Sequence, residues 1–338
     1  MSENNSFRVR TMCATYNHES YISDALKGFV IQETTFPVVY TIVDDASTDR
    51  TAEVIREFVK ENFALQDTSV AYEKDTDYGH VTFARHKTNK NCFFAVIYLK
   101  ENHYSQKKSK APYLTEWMDT KYVALCEGDD YWTDPLKLQK QVDFLEGHPG
   151  FSMCCHGADV KNETLRRVDC ACEHMATREY FSDDAFPTWQ IPTASIVYRR
   201  NVVEGYQLKN KIKFVAGDVV LILTCMHVGR VWGMEEHMSV YRMNSGGATS
   251  HINTHEDRLR LCEHYDTLMQ NFPMVDSDYC HRYIAMVHYT NFRTAKDLKI
   301  RYASLWKAIV NKPSYVLRKV LRLKTKPRKD LFYQHYKC

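Results

Sequence analysis

The chain has 338 residues, of which 44% are apolar and 26% are charged. This length allows one large or two modest domains, and the composition excludes a disordered or fibrous protein. No apolar run reaches the ~18 residues of a transmembrane helix, and the N-terminal segment lacks the apolar core of a signal peptide. We therefore expect a globular cytoplasmic protein.

Charge is distributed unevenly along the chain, although the formal net charge is only +3. Residues 293–338 contain 14 Lys and Arg and 2 acidic residues, whereas residues 1–292 carry a net charge of −9. A basic segment after an acidic body indicates an anionic partner such as a membrane surface or a nucleic acid. The segment contains no known nucleic-acid-binding module, so we expect no nucleic acid partner.

The 11 cysteines do not form the paired pattern of a zinc site. Cys170, Cys172 and His174 come nearest to a metal-binding cluster, but structural zinc sites use more widely spaced cysteine pairs. We expect reduced thiols that are mostly buried as small hydrophobic side chains.

Strand and helix patterns alternate over the first 150 residues. Apolar and β-branched runs predict strands at residues 9–15, 38–43, 69–73 and 122–126. Helical spacing predicts helices at 21–30, at 51–63 with Ser47 or Asp49 as the cap, and from Asp134 and Pro135 to residue 147. Such alternation predicts a parallel sheet with right-handed crossovers.

The remaining patterns are less regular. Residues 78–118 are rich in His, Lys and Asn, and we interpret them as a helix followed by a mobile loop. Short strands are expected at 151–155, 195–199 and 238–242, and an apolar helix after Gly217 and Asp218. From about residue 255 the pattern is helical to the end.

Three acidic groups stand next to these predicted elements: Asp44 with Asp45, then Glu127 with Asp129 and Asp130, and finally Asp218. Ligands of open α/β sheets bind at the carboxyl ends of the strands. Clustered carboxylates need a cation or hydrogen-bond donors, and their hard oxygens suit magnesium or manganese, which also bridge phosphates. For each group taken alone, a turn and helix cap is the favoured interpretation.

Together these segments resemble the family 2 glycosyltransferases, nucleotide-sugar enzymes of the GT-A fold. The resemblance spans roughly residues 7–250 and lies in CATYNHESYISDAL, VDDASTDRT, CEGDDYWTDPLKLQKQVDFLEGHP, the pair Gly217 and Asp218, and YRMNSGGATS. It implies a mixed, mostly parallel α/β sheet flanked by helices. The implied domains are a catalytic domain at 1–250, with a nucleotide-binding half to about 130 and an acceptor half from 131, and a helical basic extension at 251–338.

The resemblance also implies a set of site residues. Positions that match the nucleotide-sugar site are Thr15, Tyr16, Asn17, Glu19, Asp44, Asp45, Glu127, Asp129 and Asp130. Asp129 matches the ligand of a divalent cation, Mn²⁺ or Mg²⁺, and Asp218 matches the proposed catalytic base. The chain departs from the family pattern where Cys13 and Ala14 replace an apolar residue and Pro, Ala46 replaces a Gly, Glu127 replaces an Asp, and Asn244 replaces a His.

The implied activity is inverting transfer of a hexose from a nucleotide-diphosphate sugar, with UDP-sugar as the family-level expectation. The implied acceptor is a hydroxyl of a saccharide or lipid-linked molecule in surface polysaccharide synthesis. A catalytically silent nucleotide- or carbohydrate-binding protein on the same fold remains the alternative, and helix capping is the alternative role of Asp218. The first strand is not followed by G-x-G-x-x-G, which argues against a dinucleotide oxidoreductase.

Two further features have open interpretations. Trp132 is a candidate for stacking on a sugar, although packing under the following helix is favoured. Tyr241 and Arg242, beside Gly246 and Gly247, are candidates for a loop that closes over a diphosphate.

The basic tail has an amphipathic pattern. Asn311 and Pro313 predict a helix start, and the apolar stripe contains Val316, Leu317, Val320, Leu321 and Leu323, with Arg318, Lys319 and Arg322 opposite. This pattern is typical of a helix that lies on anionic lipid, which would place the protein peripherally at the inner face of the membrane. Packing of the same helix on the acidic body is the alternative.

Overall fold

The computed structural model describes residues 7–163, 170–186, 188, 190–208, 216–244 and 255–321. The chain divides into two units. The first contains Met1–Tyr180, Gln190–Gly205 and Val228–Met243, and the second contains Phe181–Trp189, Tyr206–His227 and Asn244–Cys338. The predicted boundary between a catalytic domain and an extension at residue 250 stays a prediction.

The first unit is built on one mixed sheet. Its strands are β1 (Val9–Thr15), β2 (Val38–Asp44), β3 (Ala71–Asp75), β4 (Gly79–Arg85), β5 (Cys92–Leu99), β6 (Tyr122–Leu125), β7 (Tyr131–Trp132), β8 (Phe151–Asn162), β9 (Arg178–Tyr180), β10 (Val197–Arg199) and β11 (Arg230–Met243). Their order is β3-β4-β5-β2-β1-β6-β10-β8-β11-β7, and β9 pairs with β11. Strands β5, β2, β1 and β6 are parallel, which confirms the predicted α/β class.

The helices of the first unit are α1 (Ile22–Val30), α2 (Thr51–Asn62), α3 (Lys137–Gly147) and the short α5 (Arg200–Glu204). Helices α1 and α2 confirm the predicted amphipathic segments, since Phe29 and Ile55 are fully buried. Strand β2 is buried along its whole length because it has a core on each side: Tyr40 belongs to the cluster that contains α1–α3, and Val39 to a cluster with Trp117.

The interpretation of residues 78–118 as a helix and a mobile loop is wrong. Strands β4 and β5 form an antiparallel pair within this region, followed by a 3₁₀ helix at Ala111–Trp117. Every residue of β5, CFFAVIYL, is buried, so an apolar run of eight residues is a central strand. The polar residues that suggested a loop lie before and after that run.

Several boundaries also differ from those predicted. Strands β8 and β11 are much longer than the predicted 151–155 and 238–242 because they pair with each other in parallel over most of their length. Helix α3 starts at Lys137, and the Asp134 carboxylate accepts a hydrogen bond from the backbone N–H of Leu136 just before it. In the predicted strand 195–199, Ser195 instead ends a 3₁₀ turn.

Trp132 is buried at the centre of the first unit. Its indole N–H donates a 2.8 Å hydrogen bond to the carbonyl of Ala194, and its ring packs edge-on against Phe29 at 5.1 Å. The favoured packing role is therefore the observed one. The ten described cysteines are buried too, as expected for small hydrophobic side chains.

The second unit is helical, with α4 (Ser182–Ala185), α6 (Gly217–Val228), α7 (His255–Asn271), α8 (Ser277–Thr294), α9 (Leu298–Asn311) and α10 (Pro313–Val320). These helices confirm the predicted apolar helix after Gly217 and, as far as residue 320, the helical pattern predicted from about residue 255. The predicted tail residues Arg322 and Leu323 lie outside the described residues. Among the described helices, none combines the length and apolar character needed to cross a membrane.

Candidate active site

The carboxyl ends of the parallel strands bring most of the predicted site residues to one edge of the sheet. In the register of β1 and β2, Thr15 lies opposite Asp44, and β6 runs parallel to β1 on its other side. The segments 15–19, 44–51 and 127–130 therefore leave the sheet at the same edge. We refer to this edge, formed by these three segments, as the strand-end site.

Reciprocal hydrogen bonds join segments 15–19 and 44–51 of the strand-end site. The Asn17 carboxamide accepts a bond from the Thr48 backbone N–H at 2.8 Å, and the Glu19 carboxylate accepts one from the Arg50 N–H at 2.9 Å. In return, Asp49 accepts a bond from the Glu19 N–H at 3.1 Å. Asn17 and Glu19, both predicted site residues, thus shape the site through its backbone.

Next to these hydrogen bonds, Thr15 is buried and Tyr16 is exposed. The carbonyl of Thr15 accepts a 2.9 Å hydrogen bond from the backbone N–H of Asp45, which ties β1 to the segment after β2. Tyr16 as a whole residue is 42% exposed. An aromatic ring with an open face is therefore present at this edge.

Asp44 is buried and caps the turn that follows it. Its carboxylate accepts hydrogen bonds from the Ser47 backbone N–H at 3.3 Å and from the Ser47 hydroxyl. Burial raises the pKa of Asp44, and the Ser47 bonds only partly offset that effect. Within the turn, Ala46 has φ of +59°, the left-handed region that glycine adopts readily, at the position where Ala replaces the family's Gly.

Asp45 is buried and bonded to residues of a segment that the sequence predicted to be mobile. Its carboxylate accepts hydrogen bonds from the backbone N–H groups of His103 at 2.8 Å and Tyr104 at 3.0 Å, and it pairs with Lys110 at 2.9 Å. Burial raises the pKa of Asp45, but Lys110 and the two N–H donors outweigh it, so the pKa lies below its usual range. Asp45 therefore anchors residues 102–110 beside the strand-end site.

The acidic segment after β6 presents its three carboxyl groups in different environments. Glu127 is exposed, Asp129 is half-buried, and Asp130 is buried with an oxygen 2.8 Å from the Arg242 backbone N–H that donates to it. Burial, together with the neighbouring Asp129 charge, raises the pKa of Asp130 well above its usual range. Asp129 and Glu127 are therefore the members of this segment that a ligand could reach.

Gly128 lets this segment run close to β1. A Cβ at residue 128 would lie 2.6 Å from the Thr15 hydroxyl oxygen and 3.1 Å from the His18 Nδ1. The backbone N–H of Gly128 donates a 3.0 Å hydrogen bond to the carbonyl of Ala14. Between Glu127 and Asp129, the chain therefore has a glycine at the point where segment 127–130 touches segment 15–19.

His18 lies beside Asp129, a contact that the sequence did not predict. Its Nε2 is 3.9 Å from the Asp129 Oδ2, and its backbone N–H donates to the Thr51 hydroxyl at 2.8 Å. Burial lowers the pKa of His18, although the Asp129 charge opposes this. Its position directly after Asn17, inside a segment with a recognised motif, is the signal that could have identified it.

Arg242 supports the acidic segment from β11. Its guanidinium is 1% exposed, donates a hydrogen bond to the carbonyl of Asp129 and another to the carboxylate of Asp24, each at 2.7 Å. The guanidinium also lies over the rings of Tyr21 and Tyr131 at 4.9 and 4.8 Å. Arg242 is thus a buried support of the site, whereas residues 245–250 of the proposed closing loop lie outside the described residues.

Asp218 belongs to the second unit. It is half-buried in the first turn of α6. Its two predicted roles, catalytic base and helix cap, stay predictions.

The donor set of the strand-end site suits a hard divalent cation. Within the described ranges, no cluster of three or more His, Cys, Asp or Glu is arranged to hold a metal ion. Magnesium, however, is commonly bound through one or two carboxylates plus the phosphates of a substrate. Asp129 and Glu127 offer that number of hard oxygen ligands.

Comparison with known proteins places this arrangement in a family. A family model described as Glycosyl transferase family 2 matches residues 12–206, which is more than half of the chain. The chain belongs to glycosyl transferase family 2. The match begins in β1 and contains every residue of the strand-end site.

The chain is also similar to curated proteins over about 70% of its length. An uncharacterized protein of Mycobacterium tuberculosis is 33% identical over 240 residues, which are 69% of this chain and 58% of that protein. An uncharacterized glycosyltransferase of Nostoc sp. is 22% identical over 255 residues, 72% of this chain and 67% of that protein. The chain thus spans 58% of the length of its mycobacterial relative.

Solved structures share the fold. S. aureus TarS in complex with UDP-GlcNAc has a TM-score of 0.53 and 14% identity, covering 94% of this chain and 83% of that one. The mannosyltransferase PcManGT from Pyrobaculum calidifontis, in complex with GDP-Man and Mn²⁺, has a TM-score of 0.50 and 17% identity, covering 98% and 84%. The fold of this family 2 chain is therefore of the GT-A type.

Proposed function

We propose that the chain is an inverting glycosyltransferase that moves a hexose from a nucleotide-diphosphate sugar, with UDP-sugar as the expected donor. The acceptor is a hydroxyl of a saccharide or lipid-linked molecule, in surface polysaccharide synthesis. One observation carries the proposal: Asp129 lies at the carboxyl ends of parallel strands, beside His18, and its backbone carbonyl accepts a hydrogen bond from the Arg242 guanidinium. Membership of the family and the nucleotide-sugar complexes of two structural neighbours support it.

In this proposal the strand-end site receives the nucleotide. The open ring of Tyr16 offers a stacking face for the base, next to the buried Thr15. Asn17, Glu19 and Asp45 bond to neighbouring N–H groups, so they fix the walls of the site. Asp44 fixes the turn that carries Ser47.

Asp129 would hold the divalent cation, with the exposed Glu127 beside it. A bound Mn²⁺ or Mg²⁺ supplies Lewis acidity that stabilises negative charge on the leaving diphosphate. Arg242 contributes by fixing the backbone of Asp129 through its carbonyl. Asp130, buried and bonded to the Arg242 N–H, orients the same segment.

Asp218 would act as the general base. A carboxylate within hydrogen-bond reach of the acceptor hydroxyl takes its proton as the oxygen attacks the anomeric carbon. One attacking oxygen on the face opposite the leaving diphosphate inverts the anomeric configuration. Asp218 lies in the first turn of α6.

Calorimetric titration with UDP, in the presence of Mn²⁺ or of a chelator, tests the donor site. Wild-type protein should bind UDP more tightly with Mn²⁺, and Asp129→Asn should remove that difference. Asp77→Asn, at an exposed aspartate in the turn between β3 and β4, is the matched control and should bind like wild type. Equal affinity with metal and with chelator would disprove the metal assignment.

Sugar transfer to a saccharide acceptor tests the base. Asp218→Asn should lower transfer by about 10²–10⁴-fold while UDP binding is retained. Glu256→Gln changes another acid in the first turn of a helix and should leave transfer unchanged. A wild-type protein that binds UDP-sugars but transfers none of them would instead favour the silent binding protein.

A further inference from the structure

Helix α9 turns an apolar face away from the helix that it packs against. Its buried residues, Ser304 and Ala308, lie on the side that faces α8, where Ser304 accepts a hydrogen bond from Asn291. On the opposite side, one helical turn apart, stand Tyr302, Trp306 and Val310, with exposures of 63%, 67% and 60%. This is the reverse of the usual pattern, in which the outer face of a surface helix is polar.

Helix α10 continues this exposed apolar surface. Val316 is its buried residue, whereas Leu317, Val320 and Leu321 are each more than half exposed. Of the 15 large hydrophobic side chains exposed within the described residues, eight lie between Leu298 and Leu321. An apolar concentration of this kind marks an interaction surface. We call the exposed face of Leu298–Leu321 the α9–α10 surface.

The α9–α10 surface is also strongly basic. Residues 298–321 contain six Lys and Arg and no Asp or Glu. Arg293 and Lys319, with Tyr289 and Tyr315, line a groove of about 230 Å³ between α8 and α10. The Lys319 ammonium lies 5.5 Å from the centre of the Tyr315 ring. Two cations and two phenols around a small groove suit a phosphate group.

We propose that the α9–α10 surface docks on an anionic phospholipid bilayer. Trp306 and Tyr302 are of the residue types that settle at the headgroup level, and Val310 and Leu317 would enter the acyl boundary beside them. The basic residues around them attract anionic headgroups, and the groove at Arg293 and Lys319 takes a headgroup phosphate. The charge favours a lipid surface over a second copy of the chain, because two such surfaces would repel each other.

Cosedimentation of the full chain with vesicles tests this proposal. The chain should bind vesicles of equal parts phosphatidylglycerol and phosphatidylcholine, and high salt or pure phosphatidylcholine should weaken binding. The double variant Trp306→Ser/Val310→Ser should bind roughly tenfold more weakly or worse. Leu136→Ser, at an exposed leucine outside the surface, is the control and should bind like wild type.

Charge is tested separately. The double variant Arg318→Gln/Lys319→Gln should bind anionic vesicles on the order of 30-fold more weakly. Equal sedimentation of wild type and both double variants, with each variant folded by circular dichroism, would overturn the proposal. A second result would also overturn the proposal. Wild-type protein would bind neither kind of vesicle and would form a dimer, and the double variant Trp306→Ser/Val310→Ser would be monomeric. The partner of the surface would then be a second copy of the chain.

Discussion

The guanidinium of Arg242 donates a 2.7 Å hydrogen bond to the backbone carbonyl of Asp129, 113 residues earlier in the chain. The backbone N–H of the same arginine donates to the carboxylate of Asp130. Strand β11 therefore holds the backbone of the proposed metal ligand, Asp129, and the side chain of the residue that follows it. The position of the Asp129 side chain depends on a residue that would touch neither the metal nor the nucleotide.

Replacing Arg242 by lysine should weaken nucleotide binding. Arg242→Lys keeps the charge, but one ammonium cannot replace the guanidinium fork that joins the Asp129 carbonyl to Asp24. We expect Mn²⁺-dependent UDP affinity to fall roughly tenfold, about 1.4 kcal/mol, with smaller loss in chelator. Arg200→Lys is the control, because Arg200 also joins a carbonyl to a carboxylate. Equal losses in both variants would contradict a specific positioning role.

Gly128→Ala should disturb the strand-end site. The new Cβ would meet the Thr15 side chain at 2.6–2.7 Å, so the segment that carries Asp129 must move away from β1. We expect Mn²⁺-dependent UDP binding to be lost and the thermal midpoint to fall. Gly150→Ala, where a Cβ meets nothing within 4 Å, should change neither. Normal UDP binding by Gly128→Ala would show that this close approach is not needed.

Ala46→Gly should stabilise the first unit. Ala46 has φ of +59°, a conformation that costs an L-residue roughly 1–2 kcal/mol. Glycine avoids this cost, but it also makes the unfolded chain more flexible, which offsets part of the gain in stability. We expect a net gain of about 0.5–1 kcal/mol in urea unfolding. Ala52→Gly in α2 is the opposite control and should lose about 0.5–1 kcal/mol. A loss of stability in both variants would refute strain at residue 46.

Lys137 should make stability depend on pH. Its ammonium is fully buried 4.0 Å from the Trp132 ring centre and has no hydrogen-bond partner among the described residues, and burial lowers its pKa to about 7. Between pH 7 and the unfolded pKa of 10.5, the unfolded chain holds the proton and the folded chain does not. Stability relative to Lys137→Met should therefore rise by about 1.4 kcal/mol per pH unit in this window.

Urea unfolding of wild type and Lys137→Met between pH 7 and 9.5 measures the difference in their free energies of unfolding. Because the other titrating groups are the same in both proteins, their contributions cancel in this difference. Below pH 7 the difference should be constant, because Lys137 is charged in both states. A difference that stays flat up to pH 9.5 would mean that Lys137 remains protonated in the folded protein.

Local patterns predicted the elements that form the strand-end site. Apolar runs that end in acids located β2 and β6, and the spacing of Phe29 and Ile55 located α1 and α2. Because parallel strands share a carboxyl edge, the acidic groups that follow two of them could be expected to converge. These predictions needed only local residue patterns and the general geometry of parallel sheets.

Contacts between distant residues could not be predicted in this way. Lys110 neutralises Asp45 from a loop whose composition suggested mobility, and Arg242 reaches Asp129 from a strand of which only part was predicted. Strand β5 was missed because a short apolar run is as compatible with a buried helix as with a buried strand. Tertiary pairing with β2 and β4 decides the outcome.

The position of Arg242 in chain order also constrains assembly of the site during synthesis. A nascent chain that has released residues 1–200 contains β1, β2, β6 and the whole acidic segment. Until β11 follows, however, Asp130 lacks the N–H that binds its carboxylate in the finished sheet. Until β11 has left the ribosome and joined the sheet, the acidic segment therefore lacks the two Arg242 hydrogen bonds that hold it in the folded protein.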